Sequence, residues 1–395
     1  MRPEYMEPAM PLQDGRSPEK RREIDNLASV LRERAAALNS ALNPVVQGSI
    51  GALVRSMNCY YSNLIEGHYT HPVDIEKALN RDYSNEPEKR SLQLEAAAHI
   101  YVQERIDRAE QPAKTTSGEF IRWVHGEFYS RLPEELRYVS DPETEEKIPV
   151  IPGEYRKRDV KVGRHVAVPF EDVPAFIERF VAVYNPEKLG RHEQVAAAAA
   201  SHHRLLWIHP FLDGNGRTAR LFSHAYLKEI GIGSSLWSVS RGLARTSAKY
   251  KEMLAYADSD RKGDLDGRGS LSLIGLQDFC IYFLEQCIDQ TEFMASLLKL
   301  TELLERIEFY CRNEASKGRM HKKAFRLLKE ALIMGEFSRG NAADILDMSA
   351  ASSSKIISEL VSEGILTSET PKGKVRLGFP YKVLKYWLPG VYPDL

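Results

Sequence analysis

Cysteine is scarce in this chain: Cys59, Cys280, Cys287 and Cys311 are the only four in 395 residues, and no two are spaced as zinc ligands. That excludes a disulfide-stapled scaffold and a thiolate metal site, so reduced, partly buried thiols are expected. Charge of one sign is also missing. With 54 Lys and Arg against 55 Asp and Glu, the net of −1 gives no global pull toward nucleic acid or an anionic membrane. No run of about 18 apolar residues is present to span a bilayer. The opening Met-Arg-Pro-Glu-Tyr-Met-Glu-Pro has no apolar core of a signal peptide, so the cytoplasm is the expected compartment and no membrane partner is expected. A Gly-x4-Gly-Lys-Ser/Thr loop is absent, which excludes a P-loop NTPase on motif grounds. The acidic stretch from Asp258 to Gly269 fails as a calcium loop, because its fifth position is Lys262 and its twelfth Gly269, and it is read as a polar loop.

What is present is a 43% hydrophobic chain, long enough for two or three domains and a substantial core. Residues 1–22 are Pro-rich and charged and read as a mobile arm. Apolar residues at helical spacing follow from Ile24 to Leu42, then from Leu92 to Ile106 and from Ser117 to Leu132. The segment from Asp172 to Tyr184 is amphipathic. From His192 to Ile208, Val195 and five alanines form a small-residue surface that neighbouring helices can approach closely, so this is the expected buried central helix. His202 and His203 on it are sequence neighbours facing different directions, and they read as structural rather than metal-ligating. Further helices are expected from Arg217 to Ile230 and from Leu271 to Leu300.

One stretch of twelve residues, His209-Pro210-Phe211-Leu212-Asp213-Gly214-Asn215-Gly216-Arg217-Thr218-Ala219-Arg220, carries polar chemistry that packing does not need. Gly214 and Gly216 lack Cβ atoms, so their backbone N–H groups can approach an anion closely. A helix starting near Gly216 adds unpaired N–H groups and a favourable dipole. Arg217 and Arg220, three apart, share a face and can clamp outer phosphates. Asp213 is placed to hold a hard cation against the same phosphates. His209 ends the preceding helix and can serve as a general base near neutral pH. Base, metal, anion hole and charge clamp together are equipment for phosphoryl or nucleotidyl transfer.

The stretch resembles the signature of the Fic family, His-x-Phe-x-Asp/Glu-Gly-Asn-Gly-Arg-x-x-Arg, at every constrained position. The resemblance implies a mainly helical enzyme that transfers AMP from ATP to a Ser, Thr or Tyr hydroxyl of a target protein or of itself, with Mg²⁺ or Mn²⁺. Carried over, His209 is the base and Asp213 the metal ligand. Asn215 and the backbone around Gly214 and Gly216 hold the α- and β-phosphates, and Arg217 and Arg220 take the outer ones. Thr218 and Ala219 belong to the same ATP-binding segment.

Upstream, Ser62-Asn63-Leu64-Ile65-Glu66-Gly67 resembles the family's inhibitory motif, in the subgroup that carries it on an N-terminal helix, here around residues 57–67. Physically, a carboxylate from Glu66 beside Arg220 occupies the cation that the γ-phosphate needs. Ser62 lies four residues earlier on the same face and can bond to the Asn215 region or cap the local turn. Between Val160 and Val166, alternating valines around Gly163 read as a short hairpin. It resembles the family's flap, which pairs with a target's extended backbone, so Val162, Gly163, Arg164 and His165 are expected to border nucleotide and target. In the family, the region of Tyr250 and Asp258 closes the adenine pocket. Some relatives carry Asn at the latter place, and Tyr250 serves equally well as a core tyrosine. The implied division is an N-terminal helical region at 23–115, a catalytic core at 116–316 and a last module at 317–395.

That last module changes character. Thirteen Lys and Arg stand against eight Asp and Glu, a net of +5 that leaves the preceding part at −6. Helices are expected from His321 to Met334, Asn341 to Leu346 and Ser349 to Gly364, followed by a hairpin through Ile365–Thr367 and Val375–Leu377. The order resembles a winged helix-turn-helix. As a DNA reader it would set Ser352, Ser353 and Lys355 near the groove and Lys372 and Lys374 on phosphates. Dimerisation or target docking suits it equally well, because its recognition helix also carries Glu359 and Glu363. Three functions follow: a self-inhibited AMP-transferase, the reverse AMP removal or another donor in the same pocket, and a DNA-binding regulator with a nucleotide-sensing core. A homodimer is an open partner reading.

Overall fold

The computed structural model describes residues 1–12, 18–141, 144–163 and 165–393. Four helices open the chain: α1 (Pro18–Asn39), α2 (Pro44–Ile65), α3 (Pro72–Leu79) and α4 (Pro87–Asp107). Each begins with a proline, whose fixed φ suits the first turn and whose missing N–H has no partner to lose there. The central layer is α5 (Gly118–Tyr129), hairpin strands β1 (Tyr138–Ser140) and β2 (Lys147–Pro149), a second hairpin β3 (Lys161–Val162) and β4 (His165–Val166), α6 (Val173–Tyr184), α7 (Arg191–Ile208) and α8 (Asn215–Glu229). Then come α9 (Val239–Arg245), α10 (Ser247–Ala257), α11 (Leu273–Leu297) and α12 (Leu300–Ser316).

Helix α7 is the axis. Ala196 through Ala200 are fully buried, and α7 touches α1, α6, α8 and α11. Methyl side chains let four helices approach one backbone, as the alanine run leads one to expect. Among the described residues no helix is long and apolar enough to cross a membrane.

Residues 1–12 are not a mobile arm. Met6 and Ala9 are buried, and the arm's carbonyls accept from buried side chains: Pro8 from Arg204 (2.8 Å), Ala9 from Tyr184 (2.6 Å) and Pro11 from Gln277 (2.9 Å). A segment poor in apolar residues is held here because its carbonyls supply acceptors to three buried side-chain donors. Part of the expected arm, residues 13–17, lies outside the described residues, and helix already begins at Pro18.

The last part is α13 (Ala324–Met334), β5 (Glu336–Phe337), α14 (Ala342–Leu346), α15 (Ala350–Ser362), β6 (Leu366–Thr367), β7 (Val375–Leu377) and α16 (Tyr381–Trp387), with antiparallel sheet order β5-β7-β6. The hairpin and three helices follow the expected order, and β5 is an addition. Ser353, expected at a groove, points inward and is buried, while Ser352, Ser354, Lys355 and Ser358 are exposed. Lys374 is paired with Glu336 at 2.7 Å.

Candidate active site

The loop between α7 and α8 is built by its own side chains. His209 caps α7 in the left-handed region (φ 52°), turning the chain sharply where the helix ends. Both amide atoms of Asn215 bind the Phe211 peptide: Phe211 N–H donates to Oδ1 and Nδ2 donates to the Phe211 carbonyl, each at 2.9 Å. Asn215 therefore shapes the turn with the side chain that the resemblance set on the α- and β-phosphates. Gly214 also has positive φ (74°), and a Cβ there would stand 2.6 Å from the Tyr129 ring. The Phe211 ring stacks on His125 at 3.9 Å. His125 in turn accepts from the Gly153 N–H (3.0 Å) and approaches the Asp213 carbonyl (3.2 Å). Burial holds His125 neutral, down at about 3, so it can donate at one nitrogen and accept at the other.

His209 is kept neutral as well. Burial and the nearby His165 and Arg156 push it down to about 4, which leaves the imidazole free to accept a proton at physiological pH. Arg156 fixes the base from behind: its Nε donates to the His209 carbonyl (2.8 Å) and its N–H to the Pro210 carbonyl (3.0 Å). Asp213 is half-exposed at the mouth of the turn. Partial burial opposes its ionisation, but Arg217, the Tyr129 hydroxyl and the Gly214 N–H outweigh that and hold it below the usual range. Tyr129 donates to its Oδ2 at 2.6 Å. No cluster of three or more His, Cys, Asp or Glu among the described residues is arranged to hold a metal alone. A single ionised carboxylate beside an anion site suits Mg²⁺, which takes most of its ligands from phosphate and water.

The two arginines of the helix are both engaged by carboxylates. Arg217 pairs with Glu95 on α4 at 3.0 Å and lies 3.8 Å from Asp213. Its guanidinium also sits over the Phe128 ring, 4.7 Å from the centroid. Arg220 is buried. Its Nε donates to Ser62 Oγ (2.8 Å), and its NH2 donates to the Ser62 carbonyl (3.1 Å) and to Glu66 Oε1. Ser62 thus bonds Arg220, not the Asn215 region or the local turn. Burial opposes the charge on Glu66, but Arg220 overcomes it and holds the carboxyl below its usual range. Gly216 makes the approach possible, since a Cβ there would lie 2.2 Å from Glu66 Oε1.

Glu66 is delivered by the end of α2. His68 N–H bonds the Asn63 carbonyl (2.9 Å) and Gly67 N–H the Leu64 carbonyl (3.1 Å), a Schellman cap with Gly67 at φ 85°. Glycine after the glutamate is thus a stop signal that fixes where the carboxylate leaves the helix.

The remaining expected residues divide. Val162 and His165 face each other across the β3–β4 hairpin, with Gly163 at φ 60° in its turn and Val162 exposed. Arg164 lies outside the described residues. His165 donates from Nε2 to the Trp207 carbonyl at 2.8 Å, which ties the hairpin to the last turn of α7. Asp258 is not open to a ligand edge: its carboxylate takes His203 at 3.0 Å and stands 3.5 Å from His165. Tyr250 is a core residue, buried with its hydroxyl 2.7 Å from His202 Nε2. Thr218 and Ala219 are buried in the body of α8. His202 and His203 hold structural bonds, as expected.

A sequence model described as the Fic/DOC family matches residues 116–227, a span that holds the whole turn from His209 to Arg220. Residues 116–227 are a Fic/DOC domain. A protein adenylyltransferase Fic from Drosophila erecta is 39% identical over 83 residues, which cover 21% of this chain and 17% of that one. The chain therefore spans under a fifth of the curated relative it matches. The fold extends the likeness further. A Fic family protein from Desulfovibrio desulfuricans G20 aligns over 90% of this chain and 95% of its own, with a TM-score of 0.51 at 16% identity. A Fic domain containing signaling protein from Bacteroides thetaiotaomicron VPI-5482 aligns over 70% and 97%, at 0.50 and 22%.

Ser62, Glu66, Glu95, Tyr250 and Asp258 all lie outside the span of the Fic domain model. Inside it, sequence reasoning gave no role to Tyr129, His125 or Arg156, and beyond it none to Glu95. Their signal is weak, since each is one polar residue on an otherwise ordinary helix or loop, and only the fold brings them to the turn.

Proposed function

We propose that the protein transfers AMP from ATP to a protein hydroxyl and that Glu66 holds it in a restrained state. The observation that carries this reading is the Glu66 carboxylate on Arg220, set beside a helix N-terminus, an ionised Asp213 and a neutral His209. With triphosphate along the turn, the N–H groups at the start of α8 neutralise the phosphates nearest the reacting centre. His209 takes the proton from the incoming Ser, Thr or Tyr hydroxyl. The hydroxyl oxygen bonds to the α-phosphorus, and the bond from that phosphorus to the bridging oxygen breaks, releasing pyrophosphate. Mg²⁺, held by Asp213, would screen charge on the phosphates. Arg220 is the natural partner of the outermost phosphate, and Glu66 competes for it. The β3–β4 hairpin, tied by His165 to the last turn of α7, suits a target strand.

The test is intact mass after incubation with ATP and Mg²⁺. Glu66→Gly should gain AMP, wild type only slightly, and Glu66→Gly/His209→Ala not at all. No added AMP in the single variant would contradict the reading.

A further inference from the structure

Helix α2, which ends in Ser62 and Glu66, is gripped along its length by the chain's last module. At its start, Asn43 caps the helix by accepting from Val45 N–H (2.9 Å) and donates to the Met334 carbonyl at the end of α13 (3.4 Å). At mid-length, Ala52 and Leu53 meet Leu377, Phe379 and Tyr392 around a cavity of about 200 Å³. Beside it, Glu76 of α3 accepts the Tyr381 N–H at 3.2 Å. At its end, the Tyr61 hydroxyl donates to the Val391 carbonyl (3.0 Å). Tyr392 is buried against both tyrosines, 5.2 Å from Tyr60 edge-on and 6.5 Å from Tyr61 stacked. Arg241 of α9 completes the clasp by donating to the Gly390 carbonyl (2.7 Å) with its guanidinium over Phe293, 3.6 Å from the centroid.

The other face of α2 is locked by polar bonds to α4 and, through it, to α8. Asn58 pairs with Gln103 of α4 at 2.6 Å. Arg55 reaches Asp107 at 3.1 Å, and Asp107 takes His224 of α8 at 2.7 Å. A helix fixed in this way does not lift off as a unit, because that would strand several buried charges. The contacts to both sides meet at its last turn. Tyr61 and Ser62 are sequence neighbours, one held by the tail and the other by Arg220.

We propose that the C-terminal module regulates the Glu66 carboxylate: residues 390–392 brace the last turn of α2, and withdrawal of that brace frees Glu66 from Arg220 while the rest of α2 stays docked. This rests on the reading of Glu66 as a restraint on AMP transfer. The void of about 200 Å³ at the α2 contact leaves the side chains that line it short of packing partners, which lowers the cost of a shift of the module there. Two sites biasing one local element is the physical requirement for such coupling.

Full-length wild type, Tyr392→Ala, Tyr61→Phe, Glu66→Gly and Glu66→Gly/Tyr392→Ala decide it by two readouts, AMP gained by intact mass and amide exchange of residues 63–68. Tyr392→Ala should raise AMP incorporation by about tenfold, within the usual range of site-to-site coupling. Tyr61→Phe, which keeps its shape and loses one bond, should raise it less. Tyr392→Ala should add nothing in the Glu66→Gly background, because both act through one carboxylate. Exchange at 63–68 should quicken in both tyrosine variants with α7 and α8 unchanged. If Tyr392→Ala loses protection in α7 and α8, Tyr61→Phe decides alone. An active Glu66→Gly beside tyrosine variants with wild-type activity and exchange overturns the bracing and leaves the restraint standing. An inactive Glu66→Gly removes the restraint and this proposal with it.

Discussion

Arg220 has three acceptors around one guanidinium, two from Ser62 and one from Glu66. A buried arginine cannot be left bare, since removing one partner of such a pair costs roughly 3–5 kcal/mol. Glu66→Gly is tolerated in this account because Ser62 still holds two bonds and a phosphate can supply the charge. His209 gives a separate prediction. Its folded value of about 4 means that the proton-accepting form is already complete well below neutral pH. In Glu66→Gly, kcat/KM should therefore stay flat from about pH 8 down to about pH 6, since the acid limb reports the base of the free enzyme. A limb centred near 6.5 would show an ordinary imidazole. The twelve residues from His209 to Arg220 announce nucleotide chemistry because base, carboxylate, turn and cations are contiguous. The true partners of Asn215, Tyr250 and Asp258 were illegible. Asn215 turns back on its own loop, and the other two find histidines about fifty positions away on α7, which spacing does not report.

Elements carry the next level. The α7–α8 turn works only if Gly214 adopts positive φ against the Tyr129 ring. Gly214→Ala meets both obstacles and should lower stability by about 1–3 kcal/mol, read as a fall in the denaturant midpoint. A change of a few tenths would mean that the turn relaxes freely. Helix existence was legible for α5 and α6 from their apolar pattern, for α7 from its alanine run and for α8 from the turn that starts it, to within a few residues. The start of α2 was not, although Asn43-Pro44 is a sound helix opening, because its mixed apolar and polar burial on several faces blurs any one stripe. The two-residue strand β5 was missed for another reason: it has no alternation to read and exists by pairing with β7.

At the scale of the molecule, the two ends of the chain were read less well than its middle. The first twelve residues looked like a solvated arm, yet they satisfy Arg204, Tyr184 and Gln277 through backbone carbonyls, an interaction that carries no side-chain signature. Deleting residues 1–12 should lower Tm by several degrees, as loss of three buried bonds at about 1 kcal/mol each implies. An unchanged Tm would mean that the arm is passenger. At the other end, the last module was legible as a unit, but its grip on α2 was not, because Tyr60 and Tyr61 meet Val391 and Tyr392 more than 300 positions away. One helix thereby touches two structures, the Fic domain at Arg220 and the last module at Val391 and Tyr392.

The most direct measurement is the initial rate of AMP incorporation against ATP concentration for wild type and Glu66→Gly. On the proposed reading Glu66 spoils the pose of bound nucleotide rather than its entry, so kcat should rise strongly and the KM for ATP should change little. Equal kcat in the two proteins, or a gain confined to KM, would contradict the account.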